Sequence, residues 1–187
     1  MPRKIVAMLV VLLSFPDFAA AASQSASREP FAVVRVVDPE LRLLVLLGQE
    51  RSAKFRQLVE EIRGSRWLVF IQAGRCPEKA AVACLLHFAG VYQGAPYMRV
   101  VVAHQGRHPH SVIATIAHEL QHAAEVIRDP GVVDSRSMRE MFRRIGTISV
   151  QSAAGITYET DDARAVGEQV LRDLGQRAPA VLSAVRR

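Results

Sequence analysis
The sequence predicts an α+β domain, a small and mostly antiparallel sheet with helices before and after it, and three observations predict it. Runs rich in β-branched and aromatic residues occur at positions 31–37, 67–72 and 97–103, and each is short enough to be one strand. Apolar residues recur at helical spacing elsewhere, as in Phe55, Leu58, Val59 and Ile62 or Ala163, Val166, Val170, Leu171 and Leu174. The order is mixed strands and a helix, then a strand and a loop that lead into the long helical segment 112–128.

Taken in order, residues 31–37 form a strand that ends at the Asp38-Pro39 turn signal. The apolar run 41–47 fits either a strand or a helix. Ser52 is placed to cap a helix that stops at Gly64. Residues 67–72 come next as a strand and 73–79 as a loop. Residues 80–88 suit a helix by composition, but the turn-rich link 90–96 and the strand 97–103 favour reading them as the first arm of an antiparallel pair. After a loop containing Gly106 and Pro109, Ser111 is expected to cap a helix over 112–128, which Asp129-Pro130-Gly131 stops. Ser137 is expected to cap 138–145, with Met138, Met141, Phe142 and Ile145 as its apolar face, and Thr160 to cap the closing helix.

Residues 1–22 read as a secretory leader: Arg3 and Lys4, then the apolar run 5–13, then Ala20-Ala21-Ala22 as a cleavage site. The run is too short to span a bilayer, and Pro16 and Asp17 keep it from extending further. Residues 23–30 then suit a flexible leader, and 31–187 a single domain. The expected location is secreted or periplasmic, with no stable membrane span after cleavage. The formal charge of +6 loses two positive charges and one negative with the leader, leaving +5. That charge is dispersed arginine without the patch or stripe of a nucleic-acid site, so no nucleic-acid partner is expected. Export would put Cys76 and Cys84 in an oxidising compartment, where a disulfide is open to them; two buried thiols are the alternative.

The most informative stretch is residues 115–125, T-I-A-H-E-L-Q-H-A-A-E. On a helix His118 and His122 lie one turn apart on one face, where both imidazoles can reach one metal ion. Glu119 between them is the carboxylate that a zinc-dependent hydrolase needs as general base. This H-E-x-x-H pattern, with the strand and loop that lead into it, resembles the zincin metallopeptidases. The resemblance implies a twisted sheet packed on the motif helix, further helices C-terminal to it, a bound zinc ion, and a peptide or protein substrate lying along an edge strand. Residues 97–103 are the expected edge.

Two histidines hold zinc poorly, so a third ligand is needed. The metzincin continuation fails, because Glu125 and Arg128 stand where that pattern has glycine and histidine. A gluzincin-like glutamate remains. Glu125 lies about 10 Å along the helix from His118, which suits a supporting role. Glu140 points away from the apolar face of its helix, among arginines. Glu159 is preferred, because Glu159-Thr160-Asp161-Asp162 at the start of the closing helix resembles the E-x-x-x-D segment of compact gluzincins. The fourth position on is Ala163, however, and the nearest acid, Asp162, comes one residue early. Asp162 is a candidate to orient a ligand histidine. Tyr158, His104, His108 and His110 are candidates to assist an oxyanion.

The expected function is peptide-bond hydrolysis by a zinc-activated water, with Glu119 as base and His118, His122 and Glu159 as ligands. The alternative is an exported zincin-like protein that binds metal or a partner without cleaving it. Substrate specificity and oligomeric state have no signature in the sequence.

Overall fold
The computed structural model describes residues 33–77, 81–152 and 155–175. The expected leader segments, 1–22 and 23–30, lie outside them. The elements run β1 (Val34–Val36), α1 (Pro39–Arg51), α2 (Ala53–Arg63), β2 (Leu68–Ala73), β3 (Ala83–Tyr92), β4 (Ala95–Val102), α3 (Pro109–Arg128), α4 (Ser135–Ile145), β5 (Thr147–Ser152), β6 (Gly155–Glu159) and α5 (Asp161–Gly175). The α+β class is as expected.

The ambiguous run 41–47 is helical, and its N-terminus explains why. Asp38 accepts a hydrogen bond from the Leu41 amide at 3.0 Å, and Pro39 takes the first helical position with Glu40 beside it. The Asp-Pro pair that closes β1 therefore also opens α1. Ser52 caps α2 through the Phe55 amide, and Gly64 ends it, both as expected.

The expectation of a mostly antiparallel sheet is corrected. The four-stranded sheet has the order β1-β2-β4-β3; β1 with β2 and β2 with β4 are parallel, and only β3 with β4 is antiparallel. For β1 and β2 the cause is the helical state of 41–47, since two successive helices carry the chain from one strand back to the other and allow a parallel crossover. The expected antiparallel pair does form, as β3 with β4. It closes through a two-residue turn at Gln93 and Gly94, both with positive φ (51° and 79°), a geometry that matches the strand twist and favours glycine. The expected link at 90–96 is therefore mostly strand.

A second correction comes from the strand order. Residues 97–102 lie in β4, an interior strand, and the edges are β1 and β3. The other sheet is the separate antiparallel hairpin β5–β6.

The core lies between one face of the large sheet and α1, α2 and α3. Leu41, Phe55, Leu58, Ile71, Met98 and Ile116 are each fully buried there. Alternation sets the faces: Val34, Val36, Val69 and Ile71 are buried, whereas Arg35 and Phe70 look outward, and the Arg35 guanidinium stacks over Tyr92 at 5.3 Å. Gly48 permits the tight fit of α1, because a Cβ there would stand 2.8 Å from Ile113 and 2.9 Å from Phe55.

Two caps differ from those expected. Helix α3 starts earlier, with His108 as its cap and Pro109 next, so Ser111 falls inside the first turn. Helix α4 is capped by Asp134, and Ser137 is the third residue of a reciprocal capping box. Along α5, Ala163, Val166, Val170 and Leu174 are buried as expected, but Leu171 is exposed. No helix among the described residues is long and apolar enough to cross a membrane.

Candidate metal centre
Helix α3 is buried along most of its length, including Ala117, Leu120, Ala123 and Ala124 around the motif. The uncharged spacing residues let the helix sink into the core, which fixes its rotation. His118 and His122 are thereby turned toward the start of α5, with ring centroids 4.9 Å apart.

Helix α5 approaches α3 closely at Gly167, which has no side chain to hold the two apart. A Cβ on Gly167 would meet His118 Cβ at 3.5 Å and His118 Nδ1 at 3.7 Å. This crossing brings Glu159, at the end of β6, onto the histidine face. His118 Nε2 is 3.3 Å from Glu159 Oε2, and His122 Nε2 is 3.6 Å from Glu159 Oε1. One ligand atom from each of His118, His122 and Glu159 lies within 4.8 Å of the others, so the three can hold a metal ion.

Glu125 lies one turn beyond and supports the site. His122 Nδ1–H donates to Glu125 Oε2 at 3.0 Å, which leaves Nε2 facing Glu159 and fixes the ring. Thr160 Oγ1 donates to Glu125 Oε1 at 2.8 Å and accepts from the Ala163 amide at 3.2 Å. The cap of α5 is thus also the clamp on the carboxylate that orients His122. The Thr160 amide in turn donates to Glu159 Oε1 at 2.9 Å.

Electrostatics here are set by burial and neighbours. Burial lowers the His118 pKa, and the His122 cation adds to this. Burial also opposes a charged His122, but its hydrogen bonds to Glu125 and Glu159 outweigh it and raise the imidazole to about 9. Against burial, which would raise them, the His122 N–H groups hold both Glu125 and Glu159 below the ordinary carboxylate range. Glu119 is pushed up to about 7 by burial, against the nearby His122 charge and the Leu85 amide that faces it from β3.

The residues open on a cavity of about 470 Å³. Its walls are the edge strand β3 (Ala83, Cys84, Leu85, Leu86), α4 (Met138, Arg139, Phe142), the β5–β6 hairpin, and His118, Glu119, His122 and Glu159. Phe142 packs edge-on against the His122 ring at 5.3 Å. Cys76 and Cys84 form a disulfide on the rim, with a Cα–Cα separation of 6.0 Å.

Tyr158 lines the cavity as a candidate should, but several other expected positions fall elsewhere. Glu140 is exposed on α4, outside the ligand cluster. Asp162 is exposed near Arg128, and the histidine-orienting part considered for it belongs to Glu125. His104 is buried and bonded to Glu40 Oε2 at 3.1 Å, while His108 and His110 sit at the far, N-terminal end of α3; none of the three lines the cavity. The Leu85 amide and Arg139 are not legible as site groups from the sequence. A backbone N–H has no sequence signature, and Arg139 is one arginine among several on α4. The chain matches no protein-family model, no curated protein and no solved structure.

Proposed function
We propose that the chain is an exported zinc-dependent peptidase of the zincin type. The observation that carries this reading is the convergence of His118, His122 and Glu159 on one point, with the Glu119 carboxylate buried beside them in an open cleft. Two imidazoles and one carboxylate are the borderline donors that zinc favours, and a four-coordinate ion held by these three would keep one position for water. Bound there, zinc would act as a Lewis acid that lowers the pKa of water and polarises the scissile carbonyl.

The chain's own groups supply the rest. Glu119 takes the proton from the attacking water and delivers it to the leaving nitrogen. Glu125 keeps the His122 ring in register through Nδ1. The peptide adds as an extra strand to the free edge of β3, whose outward backbone groups belong to no ladder among the described residues. Tyr158 lines the cavity, and its hydroxyl is the donor proposed for the developing oxyanion.

Metal analysis and hydrolysis of a broad peptide library test the reading together. Wild type should carry about one zinc per chain, and His118→Ala close to none. Glu119→Gln should retain the metal and lose about 10²- to 10⁴-fold in rate. Full activity in Glu119→Gln would refute the assigned base. Stoichiometric zinc with no cleavage of any peptide would instead favour a non-catalytic metal-binding protein.

A further inference from the structure
Outside the metal-binding constellation, one charged side chain lines the cleft among the described residues, and it is Arg139. The remaining wall is apolar or hydroxyl-bearing, with Leu85, Met138 and Ile156 typical of it. Arg139 stands one turn before Phe142, whose ring packs on His122. Residues three apart share a helix face, so α4 turns the guanidinium toward the same cleft as the ligand histidines.

The carboxylates that line the cleft are already engaged. Glu159 faces both histidines and accepts from the Thr160 amide. Arg144, on the same helix, pairs with Asp129. No carboxylate among the described residues pairs with Arg139, and its side chain is exposed. A planar fork of N–H donors is thus presented to a mainly apolar cleft without an anionic partner.

We propose that Arg139 is a specificity-determining residue that binds a carboxylate of the peptide close to the scissile bond, so that the cleft selects acidic ligands. The carboxylate comes from an aspartate or glutamate side chain or from a free C-terminus. Both present the two oxygens that a guanidinium grips with paired hydrogen bonds. The inference rests on the peptide-cleft reading above.

Binding of short peptide hydroxamates to the zinc-loaded protein tests it without requiring turnover. One pair carries glutamate or glutamine with an amidated end; a second pair carries a neutral side chain with a free or amidated end. In at least one pair, the acid should bind wild type about tenfold more tightly than its amide, and the responding pair identifies the source. Arg139→Gln should reduce that ratio to about twofold or less, and Arg139→Glu should reverse it. Undiminished binding of the neutral hydroxamates shows that the variants are folded. Equal binding of acid and amide by wild type, or a ratio unchanged in Arg139→Gln, overturns this inference alone. Failure of every hydroxamate to bind wild type overturns the peptide-cleft reading and this inference with it.

Discussion
At the scale of single residues, Thr160 and His122 set the behaviour of the site. Thr160 caps α5 and holds Glu125 with one hydroxyl. Thr160→Val should cost about 1 kcal/mol of stability through the cap and roughly tenfold in metal affinity through Glu125. Thr160→Ser should preserve both; thermal melts and metal titrations of the two variants decide. His122 supplies the pH dependence. Its folded pKa lies above the ordinary 6.5, near 9, so its contribution to metal-free stability is complete below pH 6.5 and lost as pH rises through 9. A metal-ligating imidazole must be neutral. Binding at pH 7 should therefore release about one proton, and affinity should rise by up to about tenfold per pH unit toward pH 9. Calorimetry in buffers of different ionisation enthalpy measures that proton, and a buffer-independent heat would contradict the assignment.

At the scale of elements, the crossing of α3 and α5 at Gly167 decides how close Glu159 comes to the histidines. A Cβ there would make ordinary contact with His118. Gly167→Ala should therefore keep metal affinity and add up to about 1 kcal/mol of helix stability. Gly167→Leu should press on His118 and weaken binding; equal metal affinity in the leucine variant would show that the crossing is not limiting. The motif helix, its two histidines and the capped late helix are legible in the sequence because helical spacing and cap chemistry are local. The proximity of Glu159 to His118, forty-one positions earlier, depends on how α5 lies across α3, which no local pattern encodes. Glu159 is reachable only through the acids and cap around it. Strand direction is illegible for the same reason, since 41–47 has to be assigned as helix before β1 and β2 can be seen as parallel.

At the scale of the whole molecule, the parts of the site come from distant segments tied together by few bonds. Ser52 both caps α2 and donates to Asp173 on α5 at 2.6 Å, so the N-terminal scaffold and the closing helix share a fastening. The disulfide closes a span of eight positions, which corresponds to roughly 2.5 kcal/mol by loop-closure entropy. A Cys76→Ser/Cys84→Ser double variant should lose that much in a denaturant titration, and an unchanged midpoint would show that the crosslink contributes nothing. The double duty of Thr160 has a wider consequence. Because the group that starts α5 also steadies His122 through Glu125, ordering the C-terminal helix and binding an ion at the histidines would be linked equilibria. An ion bound there would then act as a late step of folding, and its removal should be felt first as protease sensitivity after residue 146, ahead of any change in the sheet.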